Sequence, residues 1–424
     1  MPKLSQSPYQ ATFNANTFEL SNGLTIIHQY LPATPVVVTD IWVTAGAIAE
    51  PQEWSGMAHF LEHMIFKGSP NVMVGEFDWL IENTGGVANA ATSYDYAHFY
   101  LTTAAPHVKK TLPALADILL KASIPDEEFI CEREVVIEEI CSCHDDPDFI
   151  GFQALCQNAY QRHPYRRSIL GDKERLLEHT PNQMRCFHRT HYQPENMTVV
   201  IIGGIEQEAA LALVNDNFSN FSVRSECPTT IIEAEPPAIA IRRQELYLPR
   251  IEQARLLMAW ICPGSQCLEE AIALDLIALI LSGGRSSGLV RQLREERQLV
   301  MDIDCNFSLQ KDSSMFTINA WLETDNLEMV ESIVSDRLEQ LHDRLVPEPE
   351  INRAKRQLIN DYIFSTETPN QLASIYGFYN VVAKASDSAL YPQFISQLQP
   401  EQLQAIARRY LSPQRYAVTI LKPC

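Results

Sequence analysis

The sequence predicts an α+β fold of two homologous domains, each a mainly antiparallel sheet covered by helices. The chain has 424 residues, 46% of them hydrophobic and 20% charged, which suits two or more domains of roughly 100–200 residues each. Strand-like and helix-like apolar patterns alternate along the first half. Residues of the first half recur in the second half at a nearly constant offset, the sign of a duplicated unit.

The first half contains signals for five strands. Residues 17–30 predict a β-hairpin, because two apolar runs flank an Asn-Gly turn. Residues 36–43 form a strand apolar enough to be largely buried, and residues 87–92 and 96–103 predict two more. The strand at 87–92 carries little side-chain bulk. It is either an ordinary interior strand or a sheet edge that an extended peptide could join.

Helices are predicted between and after these strands. The first begins after Ser55, a favourable N-cap residue, and stops near Gly68. Three further helices are predicted, over residues 77–83, 107–123 and 125–142.

The first helix carries the sequence His59-Phe60-Leu61-Glu62-His63. Two histidines four residues apart project from one helix face, and Glu62 lies on the same side. This arrangement can place two imidazole nitrogens on one zinc ion and hold a carboxylate beside its open position. The alternative is an amphipathic helix that happens to carry two histidines. With only 11 histidines in the chain, the metal interpretation is favoured.

A third ligand is available in the helix at 125–142. Catalytic zinc sites with two histidines commonly add a carboxylate and leave the fourth position for water. Glu132 and Glu139 are seven residues apart and share one helix face, so either could be that ligand. Glu134 and Glu138 are better explained as part of a solvated face.

These motifs together resemble the M16 metallopeptidases (pitrilysin, insulysin, mitochondrial processing peptidase). The His-x-x-Glu-His order is inverted relative to the commoner zinc-protease motif. Glu139 follows His63 by 76 residues, the spacing of that family's third ligand. Glu132 matches its supporting glutamate, and Gly85 to Thr92 resembles its substrate-binding edge strand. The chain length is similar to that of the M16B branch, whose members work as dimers.

The resemblance implies a zinc-dependent endopeptidase that cleaves peptides or unfolded polypeptide segments. It implies one zinc ion per chain, held by His59, His63 and Glu139. Glu62 would act as the catalytic base, and Glu132 would orient a ligand histidine. Asn89 and Ala90 would contact the substrate through the main chain.

The second half is predicted to be an inactive copy of the first. Six residues recur at an offset of 219, namely Pro181, Gln183, Arg189, Pro194, Val199 and Ile201, matched by Pro400, Gln402, Arg408, Pro413, Val418 and Ile420. At an offset of 218, the three motif residues fall opposite Ile277, Ile280 and Leu281. The predicted organisation is a catalytic domain at 1–224, a linker at 225–243 and a non-catalytic domain at 244–424.

A Gly-rich stretch at 283–288 lacks the spacing of a phosphate-binding P-loop. It resembles the M16 segment that ends in a substrate-binding Arg-Tyr pair seven residues apart. Arg294 occupies the arginine position, but Met301 stands where the tyrosine belongs. Some bacterial M16B enzymes divide the metal site and this pair between two subunits. The resemblance therefore implies a heterodimer in which a homologous subunit supplies the pair, or otherwise a homodimer.

Composition limits the partners and the compartment. The net charge of -20 argues against nucleic acid and anionic membranes as partners. The N-terminus shows no secretory or transit pattern, and no stretch approaches the roughly 20 apolar residues of a membrane span. Ten cysteines at irregular spacing predict the reduced thiols of a cytoplasmic protein.

Two other functions compete with the peptidase interpretation. A non-catalytic assembly subunit, like the core proteins of respiratory complexes, would share the fold, but such proteins usually lose the metal ligands. A purely structural zinc site normally has four protein ligands, often cysteines, and no cysteine lies near the motif.

Overall fold

The computed structural model describes residues 12–233, 235–249 and 251–424. Within these residues the chain forms two sheets. The first contains β1 Asn16–Glu19, β2 Thr25–Tyr30, β3 Val36–Val43, β4 Val87–Thr92, β5 Ala97–Ala104 and β6 Met197–Gly203. The second contains β7 Arg242–Leu248, β8 Ala254–Pro263, β9 Asp302–Ser308, β10 Ser313–Leu322 and β11 Ala417–Pro423.

The two sheets share one topology. Their strand orders are β1-β2-β6-β3-β5-β4 and β7-β11-β8-β10-β9, so the second repeats the first without β1. In each sheet one equivalent pair is parallel, β2 with β6 and β7 with β11, and the other pairs are antiparallel. The prediction of two homologous, mainly antiparallel units is confirmed.

Helices cover both sheets. The first half contains α1 Met57–Ile65, α2 Glu76–Asn83, α3 Val108–Leu120, α4 Asp126–Cys143, α5 Pro147–Ala159, α6 Lys173–Glu178, α7 Pro181–His191 and α8 Gln207–Asn217. The second half contains α9 Leu268–Ser282, α10 Leu327–Asp343, α11 Glu348–Phe364, α12 Pro369–Val382, α13 Tyr391–Gln397 and α14 Pro400–Tyr410. None of the helices in the described ranges is long and apolar enough to cross a membrane.

The helix α9 is the counterpart of α1 in the second half, and its side chains pack in the hydrophobic core. Ile277, Ile280 and Leu281 are at most 1% exposed and belong to the second unit's main apolar cluster. Their apolar side chains leave no metal ligand at these positions, as the sequence comparison predicts.

Each unit gives one helix to the other. Leu155 of α5 packs with Leu257 and Leu421 of the second sheet, while Tyr376 of α12 packs with Trp42 of the first sheet. The remaining face of each sheet is thus covered by a helix from the opposite half of the chain. The connecting residues 218–233 and 235–241 form no helix or strand and contain most of the predicted linker, whose bounds stay a prediction.

Candidate metal centre

The helix α1 is anchored at its start by a residue that the sequence analysis missed. The predicted N-cap, Ser55, is wrong: the N-cap is Gly56 at φ +86°, with no side-chain cap bond. Instead the carboxylate of Glu50 accepts hydrogen bonds from the backbone N–H groups of Gly56 (3.0 Å) and Ala58 (2.7 Å), where the helix dipole favours negative charge. Burial raises the pKa of Glu50 to about 8, opposed by these donors and by Arg167.

Three side chains from α1 and α4 converge on one point. The Nε2 atoms of His59 and His63 lie 3.7 Å and 3.4 Å from Oε2 of Glu139, and one ligand atom from each residue lies within 4.8 Å of the others. Zinc ligands at about 2.1 Å in tetrahedral geometry are about 3.4 Å apart. The positions therefore fit one metal ion, with Glu139 rather than Glu132 in the ligand group.

His59 is suited to metal binding in its charge state as well. Burial, together with the nearby charge of His63, lowers the pKa of His59 to about 4. Its imidazole is therefore neutral at physiological pH, as a metal ligand must be.

Glu132 fixes the orientation of His63. The Nδ1–H of His63 donates to Oε1 of Glu132 at 2.9 Å, and Lys67 Nζ lies 2.5 Å from its other oxygen. Burial alone would raise the pKa of Glu132, but these two hydrogen bonds outweigh it and lower the pKa. The carboxylate stays charged and directs Nε2 of His63 towards the metal. Lys67 was missed, although its position four residues after His63 was a usable signal.

We expect Glu132→Gln to weaken zinc binding by roughly 10–100-fold, because a neutral amide holds the His63 ring less firmly and leaves Lys67 without its partner. Zinc affinity measured by competition with a chelator checks this. Glu134→Gln is the matched control, since Glu134 is exposed on the same helix. Equal affinity in the two variants would contradict the orienting role.

Glu62 lies beside the metal ligands, and β4 holds it in place. Its Oε2 accepts a hydrogen bond from Oγ1 of Thr92 at 2.5 Å. Burial raises the pKa of Glu62, opposed by the Thr92 bond. A carboxylate with a raised pKa is well matched to taking and returning a proton.

The strand β4 is a sheet edge, which resolves the alternative that the sequence left open. The N–H of Ala90 donates to Oδ1 of Asn89 at 2.9 Å rather than to β5. This N–H group therefore points away from the sheet, where a further strand could pair. Because Thr92 ends the same strand, the free edge leads directly to Glu62.

Arg294 is held by acids of its own unit. Its Nη1 lies 2.7 Å from Oδ1 of Asp302, and its Nε and Nη2 donate to Glu295 at 3.2 and 3.0 Å. None of these partners belongs to the metal group. Met301, at the position of the missing tyrosine, is 54% exposed.

Comparison with known proteins now identifies the family. Residues 25–173 match the family model described as "Insulinase (Peptidase family M16)", and residues 179–358 match that of the "Peptidase M16 inactive domain". The chain belongs to the M16 peptidase family. The second match agrees with an M16 unit whose metal positions have become core residues.

Other M16 proteins align along nearly the whole chain. The zinc protease PqqE of Helicobacter pylori is 26% identical over 409 residues, covering 95% of this chain and 92% of that protein. The uncharacterized zinc protease YmxG of Bacillus subtilis is 26% identical over 414 residues, covering 96% and 98%. A protease structure from Helicobacter pylori superposes with a TM-score of 0.91 at 24% identity, over 97% of this chain and 100% of the other, which shows a shared fold. Zinc is the cofactor of this M16 chain, and His59, His63 and Glu139 could hold it.

Proposed function

We propose that the chain is a zinc-dependent endopeptidase that cleaves peptides or unfolded polypeptide segments. The observation that carries this proposal is the convergence of His59, His63 and Glu139 on one point, with the Glu62 carboxylate beside it. A structural zinc site normally has four protein ligands, whereas the described residues supply three. A position is therefore left for the reacting groups.

The chain's own residues supply the proton transfers and the positioning. When bound, zinc lowers the pKa of a water molecule towards about 7 and polarises the scissile carbonyl. The hydroxyl of Thr92 donates a hydrogen bond to Oε2 of Glu62. Oε1 is therefore the oxygen that takes the proton of the attacking water. Glu62 then delivers this proton to the leaving amine.

The edge of β4 supports a peptide in extended form. The outward N–H of Ala90 can bond a substrate carbonyl by strand addition. Such pairing reads main chain rather than side chains, and it requires a segment that is not already folded. Asn89 and Ala90 are therefore proposed substrate contacts.

We further propose that the active enzyme is a dimer with a homologous M16 subunit. The metal group is complete, but Met301 replaces the tyrosine of the Arg-Tyr pair, and Arg294 is engaged by Asp302 and Glu295. A heterodimer in which the partner supplies this pair would complete the substrate site. A homodimer is the alternative.

A cytoplasmic location is also proposed. All ten cysteines are free in the structure, and four of them are buried. Structural disulfides are typical of oxidising compartments, so free thiols favour a reducing one. Recovery of the chain with periplasmic markers on cell fractionation would contradict this.

The test is a peptide-library digest by the purified chain, alone and mixed with a related M16 subunit, each with and without a chelator. We expect cleavage at internal bonds, loss of cleavage on zinc removal, and a higher rate with the partner. Full activity of the chain alone, with no gain from any related subunit, would remove the heterodimer proposal. Stoichiometric zinc with no cleavage in any mixture would instead favour the non-catalytic assembly subunit.

A further inference from the structure

A cleft on the second unit gathers four arginines. It has a volume of about 520 Å³ and lies between the end of α10, the start of α11 and the Gly-rich loop that follows α9. Its arginines come from three separate parts of the chain, Arg291, Arg337, Arg344 and Arg353. The whole chain carries a net charge of -20, so this positively charged cluster is opposite in sign to the chain as a whole.

The acids near the cleft do not neutralise it. Glu350 is the acid on its wall, and it pairs with Arg337 at 3.2 Å. Arg291 lies 3.5 Å from Glu296 in an exposed pair, which is weak in water. Across the described ranges, Arg344 and Arg353 form no ion pair with a carboxylate. The cleft therefore keeps an excess of positive charge.

Two guanidinium nitrogens in the cleft lack partners. Nε of Arg337 and Nη2 of Arg353 are buried and have no hydrogen bond within the described residues. Buried N–H donors without acceptors are costly, so the described residues leave these two guanidinium groups incompletely hydrogen-bonded. The Arg353 side chain is already held in place, because its Nη1 donates to the Ser286 hydroxyl.

Gly288 lets the loop approach Arg337 closely. A Cβ at this position would lie 2.7 Å from Nε of Arg337. Glycine at this position therefore lets the guanidinium group of Arg337 lie against the loop. A substitution of Gly288 by alanine would crowd Arg337 without changing any charge.

We propose that this cleft binds a phosphoryl anion, with an oligophosphate as the ligand that suits its charge and volume. Guanidinium groups present paired N–H donors that match phosphate oxygens. Recognition would come from arginine side chains, so it does not depend on the P-loop spacing that the Gly-rich stretch lacks. The oligophosphate could be inorganic or part of a nucleoside triphosphate. The proposal does not involve zinc or peptide cleavage.

Calorimetric titration of the full chain at constant ionic strength tests this, with tripolyphosphate, adenosine triphosphate, inorganic phosphate and sulfate as probes. We expect saturable binding of tripolyphosphate at one site. The double variant Arg344→Gln/Arg353→Gln should weaken it at least about tenfold, since two charge-assisted contacts are lost. Gly288→Ala should also weaken binding, although it changes no charge.

Arg356→Gln is the matched control. Arg356 is exposed on α11, outside the cleft, and Arg356→Gln removes one positive charge, as each substitution of the double variant does. The affinity of the Arg356→Gln variant for tripolyphosphate should stay within about twofold of that of the parent chain. Thermal unfolding of each variant separates loss of binding from loss of fold. An equal loss in the control, or no saturable tripolyphosphate binding at millimolar concentration, would overturn the proposal. Adenosine triphosphate binding tighter than tripolyphosphate would support the nucleotide form of the ligand.

Discussion

Glu62→Gln is expected to abolish peptide hydrolysis while leaving zinc bound. Glutamine keeps the shape of the side chain and can still accept the Thr92 hydrogen bond, but it cannot take a proton from water. None of the three metal-ligand atoms is changed. Loss of a general base costs about 10²–10⁴ in rate. Initial rates on a fluorogenic peptide, together with zinc content by atomic absorption, check both parts of the expectation.

Glu138→Gln is the control for Glu62, because Glu138 is an exposed glutamate next to the ligand Glu139. It should retain both activity and zinc. The hydrolysis rate of Thr92→Val should lie between those of Glu62→Gln and Glu138→Gln, because this variant loses the hydrogen bond to Oε2 but keeps the carboxylate. Retained hydrolysis in Glu62→Gln, or loss of its zinc, would argue against the assignment of the base.

Gly377→Ala is expected to destabilise the fold by about 3 kcal/mol, the upper part of the usual range for overpacking. A Cβ on Gly377 would overlap the indole ring of Trp42. Trp42 is 2% exposed, and its ring centroid lies 4.6 Å from that of Tyr96 and 4.2 Å from that of His98. The indole therefore has no room to move aside. The helix α12 would have to lift from the first sheet.

Gly151→Ala is the matched control in the other exchanged helix. A Cβ on Gly151 would lie 3.0 Å from Cδ1 of Leu421 and 3.3 Å from Cδ1 of Leu257. These atoms are the ends of side chains that can rotate, and alanine gains about 1 kcal/mol of helix propensity over glycine. We expect little net change in the free energy of unfolding, measured with denaturant. Equal losses in both variants would show that contact with Trp42 is not the cause.

Local pattern was sufficient for these elements and for the two histidine ligands. The apolar run in residues 36–43 and the spacing of His59 and His63 reflect geometry within a single strand or helix, and both elements form as predicted. The pairing of α1 with α4 was reachable because the family resemblance selected Glu139 over Glu132. Geometry then placed Glu139 in the ligand group.

Features that join distant segments were not predictable in this way. Glu50 caps α1 from six residues before Gly56, across the short 3-10 helix Gln52–Trp54, so no N-cap rule based on the adjacent residue finds it. The edge position of β4 is a property of strand order, not of its residues. The arginine cleft likewise draws its charges from three elements that are separated in the chain.

The exchange of α5 and α12 means that neither half is a complete globule. Alone, each would present a sheet face with large apolar residues such as Trp42 or Leu257 to water. Helices given and received reciprocally are the contact pattern of a domain-swapped dimer. The chain therefore resembles a domain-swapped dimer whose two subunits are joined in one polypeptide. Residues 218–241 are the covalent tether between them. The tether fixes the two copies in a one-to-one ratio, so each unit with the metal residues is accompanied by one unit whose equivalent positions, Ile277, Ile280 and Leu281, are core residues.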